Sequence, residues 1–184
     1  MGCGTGALAA RMATELDCEL VAVDRSPQMV EATRARGVDA RLGDVQQLGF
    51  ADAEFDAAVA AWMLYHVPDL DRGLGELSRV LRPGGALVAI TNGVEHLADL
   101  WVALGVEYQS VGFRSENGEE QLLRHFGRVE RHDVETTARF PDRASAAAYV
   151  ASLGRDEIPA DRVAALPEPF QARGAPTVFV AFAR

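Results

Sequence analysis

A glycine-rich loop opens the chain, Met1-Gly2-Cys3-Gly4-Thr5-Gly6, and helix-forming residues follow it from Ala7 to Leu16. Glycines at alternate positions let a backbone approach a bound molecule closely, because no Cβ stands in the way. A helix that begins at such a loop presents unpaired N–H groups and a positive dipole end, which suit a carboxylate or a phosphate. The Gly-x-Gly-x-Gly spacing differs from the Gly-x-Gly-x-x-Gly of dinucleotide-binding folds. Taken alone, the loop also fits an ordinary tight turn.

Composition narrows the classes of protein to consider. With 184 residues, 48% of them hydrophobic, the chain has the size of one domain with a substantial core. No apolar stretch approaches the ~20 residues of a membrane span. A net charge of −9 argues against a nucleic-acid partner, because phosphates attract basic surfaces. Two cysteines, Cys3 and Cys18, supply neither a disulfide framework nor a metal quartet, so a cytoplasmic location is expected.

Short apolar runs alternate with segments of helical periodicity in the first half of the chain. The run 19–23 ends at Asp24, as a buried parallel strand does, and Ser26-Pro27 then supplies an N-cap and a first helical residue. Pro83-Gly84-Gly85 is expected to separate a helix from the next strand. The predicted strands are 19–23, 38–42, 55–61 and 86–91, and the predicted helices are 7–16, 26–36 and 70–81.

The second half is less regular. Asn117 and Glu120 have the spacing of a helix capping box. Residues 159–176 carry four of the eight prolines and are predicted to form an irregular surface connection. Helices are predicted over 94–104, 117–126 and 142–153, and strands over 129–136 and 177–182. Strands separated by helices imply a mostly parallel sheet that is covered on both faces.

Four features are predicted to lie at the carboxyl ends of strands, where ligands bind in open α/β sheets. They are the glycine loop, Asp24, Asp44 and the segment 60–66. Asp24 can accept hydrogen bonds from two ribose hydroxyls, or it can cap the helix that begins beside it. Asp44 can accept from an exocyclic amine, or it can simply end a strand. The order and spacing of all four features are more specific evidence for a ligand site than any one feature taken singly.

This set of motifs resembles the class I S-adenosylmethionine-dependent methyltransferases, and in particular the bacterial small-molecule branch of the methyltransferase-11 type. The resemblance covers residues 1 to about 95 and implies an α/β, Rossmann-like fold. In that fold a mostly parallel sheet has helices on both faces and an antiparallel last strand. The motifs that carry it are Gly-Cys-Gly-Thr-Gly, Val-Ala-Val-Asp24-Arg-Ser-Pro-Gln-Met, Gly43-Asp44, Met63-Leu64-Tyr65-His66-Val67-Pro68-Asp69 and Arg79-Val80-Leu81-Arg82-Pro83-Gly84-Gly85.

The resemblance implies S-adenosylmethionine as cofactor and assigns roles to individual residues. The glycines would hold its methionine part, Asp24 its ribose hydroxyls and Asp44 its adenine amine. A carbonyl of Ala60 or Ala61 would meet the methionine ammonium. The whole implied cofactor-binding set is Gly2, Cys3, Gly4, Gly6, Asp24, Arg25, Met29, Asp44, Val45, Ala60, Ala61 and Trp62.

His66 is the candidate catalytic residue, because an imidazole can act as a base near neutral pH. The alternative is that it packs against the cofactor or caps the next helix. Four aromatic residues can line an acceptor pocket, although core packing explains them equally well; they are Trp62, Trp101, Tyr108 and Phe113. No residues have the spacing of metal ligands, so no metal is predicted.

In the resembled family a central strand precedes the glycine loop, and Met1 stands where that strand would end. We therefore expect residues 1–184 to form a single methyltransferase domain that lacks the N-terminal helices and the first central strand of the family. The expected function is methyl transfer to an oxygen, nitrogen or carbon of a small molecule. A catalytically inactive cofactor-binding scaffold is the alternative, and a nicotinamide oxidoreductase is disfavoured by the glycine spacing. A homodimer is one oligomeric state left open.

Overall fold

The computed structural model describes residues 1–106, 112–153 and 158–184. Strands and helices alternate along most of these ranges. The strands are β1 (Val21–Asp24), β2 (Asp39–Leu42), β3 (Phe55–Ala61), β4 (Leu81–Asn92), β5 (Arg128–Asp133), β6 (Thr136–Phe140), β7 (Phe170–Gly174) and β8 (Pro176–Phe182). The helices are α1 (Ala7–Glu15), α2 (Pro27–Arg34), α3 (Leu70–Val80), α4 (Ala98–Leu104), α5 (Gly118–Leu123), α6 (Arg143–Ser152) and α7 (Ala160–Ala164).

The N-terminal part is a parallel pair of strands, β1 and β2, connected by α2. The Ser26 hydroxyl accepts a hydrogen bond from the Met29 backbone N–H at 3.4 Å, and Pro27 occupies the first turn, where it sacrifices no hydrogen bond. Val30 of α2 packs with Ala22 and Ala40 in a small core between helix and strands. The predicted strand, cap and helix are confirmed here, and the helix ends two residues earlier than predicted.

A four-stranded sheet with the order β3-β4-β8-β5 forms the second part. β3 pairs with β4 in parallel, whereas β8 is antiparallel to both of its neighbours. β8 is therefore the one reversed strand of this sheet, and β5 lies at its edge. The predicted Rossmann-like α/β class with an antiparallel last strand is confirmed.

The main core lies on one face of this sheet. α3 is amphipathic and directs Leu74 and Leu77 against alternate residues of the strands, because side chains of a strand point to one face every second residue. Leu87 on β4 and Phe179 on β8 are fully buried there. Phe113 meets Phe179 edge to face, with ring centroids 5.7 Å apart.

Residues 1–3 connect the two groups of strands. The amino group of Met1 donates to the Val59 carbonyl of β3 at 2.6 Å, and the Cys3 N–H donates to the Val23 carbonyl of β1 at 3.1 Å. Among the described residues no strand lies between β1 and β3. The start of the glycine loop is thereby fixed to both β1 and β3.

An ion-pair cluster fastens the segment after β2 onto α3. The Arg79 guanidinium donates to the Leu48 and Phe50 carbonyls at 3.1 and 2.9 Å, and to the Glu76 carboxylate at 2.6 Å. Glu76 in turn accepts from the Leu48 N–H at 2.7 Å. The hydrogen bond from Arg79 holds the pKa of the Glu76 carboxyl below its ordinary value, so the cluster stays charged at neutral pH. Because this segment begins at Asp44, the cluster also positions that carboxylate.

A second core lies among α4, α6, α7 and the antiparallel pair β6–β7. Val163, Leu166 and Ala172 are buried in it, and they belong to the segment 159–176. The prediction of an irregular surface connection is therefore wrong. Its prolines flank α7 and β7 without entering their hydrogen-bonded interiors, which is where proline is tolerated.

Three further predictions need correction. Pro83-Gly84-Gly85 was expected to separate a helix from the next strand, but β4 begins at Leu81 and runs through these residues. They interrupt the pairing of β4 with β3 by a register irregularity between Phe55 and Ala57, and do not end the strand. The Asn117 side chain accepts from the Arg114 N–H instead of capping α5. The predicted strand 129–136 is divided into β5 and the beginning of β6.

We expect the free energy of unfolding to fall as the pH is lowered from about 7.5 to 5, because burial lowers the pKa of the His96 imidazole. Neutral Nδ1 of His96 accepts the Ala175 N–H at 3.1 Å, and protonation would remove that acceptor. The stabilisation is present above the unfolded-state pKa of ~6.5 and is lost below it, as the unfolded chain takes up the proton first. Urea unfolding at several pH values measures this.

The variant His96→Asn keeps an acceptor oxygen that does not titrate. It should therefore show a smaller loss of unfolding free energy between the two pH limits. An equal loss in both proteins would contradict the assignment.

Candidate functional site

A cavity of about 310 Å³ lies where β1, β2 and β3 end. It is bounded by the glycine loop on one side and by the segment after β3 on the other. Its lining residues are Met1, Gly2, Gly4, Val23, Asp24, Arg25, Gly43, Asp44, Val45, Gln46, Trp62, Met63, His66, Val67 and Pro68. The site is therefore at the carboxyl edge of the strands, where the sequence predicts it.

The three glycines of the loop have different structural roles, although all have positive φ. A Cβ on Gly6 would lie 2.6 Å from Thr33 Oγ1, and one on Gly2 would lie 2.7 Å from Met63 Cβ. Both glycines are thus required for packing. A Cβ on Gly4 would meet no atom within 4 Å, because this glycine faces the open cavity. The bare backbone at Gly4 is the surface that a ligand can approach.

The Asp24 carboxylate fixes the loop to the end of β1. Its Oδ2 accepts from the Gly4 N–H at 2.9 Å and its Oδ1 accepts from the Ser26 N–H at 3.0 Å. Each carboxylate oxygen has a second acceptor site left over from these contacts. Asp24 lines the cavity, so it can accept from a ligand as well as hold the loop. The two interpretations of Asp24 left open by the sequence, capping and ligand binding, are therefore compatible.

The Asp44 carboxylate is exposed at another wall of the cavity, which the residues after β2 form. Its Oδ1 accepts from the Gln46 N–H at 2.8 Å, and the Gln46 side-chain amide donates to both oxygens at 3.1 Å. The backbone N–H and then the side chain of Gln46 lower the pKa of the Asp44 carboxyl. Gln46 also accepts from the Asp69 N–H at 2.9 Å, which ties this wall to the start of α3. The acceptor at Asp44 is thus charged and fixed in direction.

The segment after β3 forms the third wall. Trp62 lies at φ +52°, and its N–H donates to the Ile90 carbonyl at 2.8 Å, one residue beyond the end of β3. Met63 packs beneath Gly2, and a single turn of 3-10 helix follows at Leu64–His66. This turn directs the chain back along the cavity into α3.

His66 is exposed at the cavity, and its ring packs against that of Tyr65 with centroids 4.5 Å apart. Among residues 1–106, 112–153 and 158–184, no carboxylate or hydroxyl is hydrogen-bonded to its imidazole. A general base is normally oriented by such a partner. The described residues thus bring His66 to the cavity without supplying a second group that would activate it.

The structure brings most of the predicted site residues to the cavity and leaves others behind it. The predicted residues that line it are Gly2, Gly4, Asp24, Arg25, Asp44, Val45, Trp62 and His66. The predicted residues that do not line it are Cys3, Gly6, Met29, Ala60 and Ala61. Ala60 is fully buried, and the Cys3 sulfur contacts Thr33 Oγ1 at 3.3 Å behind the loop.

Seven of the lining residues are outside the predicted site set: Met1, Val23, Gly43, Gln46, Met63, Val67 and Pro68. Gln46 follows Asp44 by two residues, and amides in such turns commonly bond to a preceding carboxylate, so the spacing was an available signal. Met63 and Val67 carry no polar group that would have marked them. Two of the other aromatic candidates are core residues: Phe113 is fully buried and Trp101 lies in the second core. Tyr108 lies outside the described residues.

Neither a metal site nor a membrane span is found in the described part of the chain. No three His, Cys, Asp or Glu side chains of residues 1–106, 112–153 and 158–184 converge on a common point. None of the helices in those ranges combines the length and apolar character needed to cross a bilayer.

Comparison with known proteins agrees with the geometry. A family described as a methyltransferase domain matches residues 1–89. The C-methyltransferase UbiE of ubiquinone and menaquinone biosynthesis from Rubrivivax gelatinosus is 30% identical over 158 residues, 84% of this chain and 61% of that protein. A 27-O-demethylrifamycin SV methyltransferase from Amycolatopsis mediterranei is 38% identical over 95 residues, 47% of this chain and 35% of that protein.

A solved S-adenosylmethionine-dependent methyltransferase from Methanosarcina mazei has the same fold, with a TM-score of 0.64 at 15% identity over 99% of this chain and 89% of that one. The chain spans less than two thirds of the length of each of the two curated relatives. Fold, motifs and sequence similarity together support a class I S-adenosylmethionine-dependent methyltransferase, with S-adenosylmethionine as its cofactor.

We expect Gly4→Ala to weaken cofactor binding without an unusual loss of stability, with Gly37→Ala as its matched control. Both glycines have positive φ, +53° at Gly4 and +80° at Gly37, and a Cβ added at either position would meet no atom within 4 Å. Each substitution should therefore cost ~1–2 kcal/mol of stability from backbone strain. Only the Cβ at position 4 enters the cavity.

Calorimetry with S-adenosylhomocysteine, the demethylated cofactor, measures the difference. Gly4→Ala should bind it about tenfold or more weakly, a change of ~1.4 kcal/mol or more, whereas Gly37→Ala should bind as the wild type does. Equal affinities of the two variants would show that the ligand does not approach Gly4.

Proposed function

We propose that this chain binds S-adenosylmethionine in the cavity and transfers its methyl group to a small-molecule acceptor. The observation that carries the proposal is the placement of Asp24 and Asp44 on two walls of one cavity that also exposes the Gly4 backbone. A nucleoside needs acceptors for its ribose hydroxyls and its exocyclic amine, and these carboxylates supply them.

Within this proposal the ribose lies at Asp24 and the adenine lies towards Asp44. The free acceptor sites of Asp24 take the two hydroxyls, while its other sites remain bound to the loop. Val67 and Pro68 supply apolar surface on the Asp44 side of the cavity, which suits one face of a purine. Arg25 and Val45 complete the proposed contacts on that side. The methionine portion then lies along Gly2 and Gly4, towards Trp62.

The chemistry proposed is a direct displacement. A lone pair of the acceptor forms a bond to the methyl carbon, the carbon–sulfur bond breaks, and its electron pair remains on sulfur. Alignment and exclusion of water contribute most to such a reaction. A proton carried by the acceptor atom leaves to solvent or to His66, which faces the cavity. Because His66 has no orienting partner among the described residues, we assign it a supporting role and expect alignment to dominate.

The acceptor is proposed to be a small molecule that bears an oxygen, nitrogen or carbon nucleophile. The two curated relatives are named as a C-methyltransferase of ubiquinone and menaquinone biosynthesis and a 27-O-demethylrifamycin SV methyltransferase, which supports an organic acceptor. The net charge of −9 supports this choice over a nucleic acid. A cytoplasmic location and a homodimer remain expectations, and sedimentation of the purified protein checks the second.

We expect Asp24→Asn to weaken S-adenosylhomocysteine binding by about 10- to 150-fold, the loss expected for a hydrogen bond to a charged group. An amide offers one acceptor oxygen, so the variant cannot hold the Gly4 N–H, the Ser26 N–H and the ribose together. Asp44→Asn should weaken binding less, because its exposed carboxylate is more solvated. Calorimetry gives both dissociation constants.

The matched control is Asp161→Asn, an exposed carboxylate on α7 that does not line the cavity. It should bind S-adenosylhomocysteine as the wild type does. Failure of the wild-type chain to bind the ligand would refute the proposal. Binding without methyl transfer to any small molecule tested would favour the inactive scaffold.

A further inference from the structure

Trp62 has a backbone conformation that its packing does not explain. Its φ of +52° is unfavourable for any bulky L-residue and costs about 1–3 kcal/mol. Such strain usually persists where burial of the side chain outweighs it. The Trp62 side chain is instead 46% exposed. Strained residues of this kind cluster at ligand sites, and Trp62 lines the cavity.

Within the described part of the chain, one polar contact fixes the orientation of the indole. Its Nε1–H donates to Asn92 Oδ1 at 3.2 Å, at the end of β4. Asn92 is itself held in place, because its residue pairs with Pro176 of β8 and its carbonyl accepts from the Ser115 N–H at 3.3 Å. The ring is therefore tied to a rigid strand end, while nearly half of its surface faces solvent.

This tie restricts how the ring can recognise a ligand. An indole has one N–H donor and no acceptor, and Asn92 already uses the donor. What remains available is the aromatic surface. An aromatic surface recognises planar π-systems through stacked or edge-to-face contacts.

The position of the ring within the cavity indicates which ligand it meets. Asp24 and Asp44 line the part of the cavity that we assign to the nucleoside, and Trp62 adjoins Met63, which packs against Gly2 at the end that we assign to the methionine portion. Under the proposed function this is the end at which the methyl group is transferred.

We infer that Trp62 is a specificity residue for a planar aromatic acceptor, which stacks on the indole while Asn92 holds the ring in orientation. The inference rests on the proposed function, since it places the acceptor beside the bound cofactor. It narrows the acceptor from a small molecule in general to a hydroxylated or amino-substituted aromatic ring. Asn92 acts through Trp62 and is a positioning residue.

The experiment uses phenol and cyclohexanol as probes, because they share a hydroxyl and a six-membered ring but only phenol is planar. The protein contains two tryptophans, Trp62 and Trp101, so Trp101→Phe leaves Trp62 as the sole indole reporter. Fluorescence is excited at the red edge of the indole band, with S-adenosylhomocysteine at saturation. Phenol should change the emission saturably and bind about 2- to 10-fold more tightly than cyclohexanol, the preference expected of an aromatic pair.

Variants at both positions test the assigned roles. Trp62→Gly accepts positive φ without strain, so we expect its melting temperature to stay within about 4 °C of that of the wild type. The preference for phenol, measured by calorimetry, should vanish in Trp62→Gly and be reduced in Trp62→Phe, which keeps an aromatic ring but loses the N–H that Asn92 holds. Asn92→Asp keeps the acceptor for the indole and should keep the preference, whereas Asn92→Leu should reduce it.

The outcomes separate this inference from the proposed function. If S-adenosylhomocysteine binds but phenol and cyclohexanol bind alike, the stacking role is overturned and the cofactor site stands. A large fall in melting temperature of Trp62→Gly would show that the ring is structural. If S-adenosylhomocysteine itself fails to bind the wild type, the proposed function fails first. Weaker S-adenosylhomocysteine binding in Trp62→Gly would place the ring at the cofactor and overturn the acceptor role.

Discussion

The hydrogen bonds that the backbone N–H groups of Gly4 and Ser26 donate to the Asp24 carboxylate, at 2.9 and 3.0 Å, hold the cavity together. They connect the end of β1, the glycine loop and the N-terminus of α2 through one side chain. The loop needs such an anchor because its glycines lose much conformational freedom on ordering. A hydrogen bond to a charged acceptor is stronger than one to a neutral acceptor, which suits a carboxylate to this position. Structural support and ligand recognition therefore depend on the same residue.

Backbone strain is distributed unevenly around the cavity. Gly2, Gly4 and Gly6 adopt positive φ without steric cost, so the loop side of the site is conformationally unstrained. Trp62, in the segment after β3, adopts a similar φ with a large side chain. The glycine positions follow from close packing and close approach, whereas the tryptophan retains a costly conformation with little burial in return. Packing and close approach explain the backbone conformation of the glycine loop, whereas they do not explain that of Trp62. Contact with a ligand would supply the stabilisation that is missing at Trp62.

The sequence predicted local features well and long-range ones poorly. β3 was predicted at its observed bounds because a continuous apolar run between polar turns marks a buried strand. The segment 159–176 was mistaken for a surface connection because β7 pairs with β6, some thirty residues earlier, and its short alternation carries little signal alone. Asn117 has the spacing of a cap but bonds to the Arg114 N–H, a local competition that spacing does not reveal.

The same limit explains why the nucleoside side of the site was readable and the acceptor side was not. Asp24 and Asp44 reach the cavity from strand ends and act through short loops, so their motifs contain their structural context. The orientation of Trp62 depends on Asn92, thirty residues later in the chain. The Tyr65 backbone likewise lies close to Gly112, so that a Cβ added at Gly112 would be 3.5 Å from it. These contacts come from elements that meet only in the folded chain. Acceptor recognition can therefore change by substitution at distant positions while the nucleoside motifs remain intact. The two curated relatives are consistent with this, because both are methyltransferases by name and their names record different acceptors.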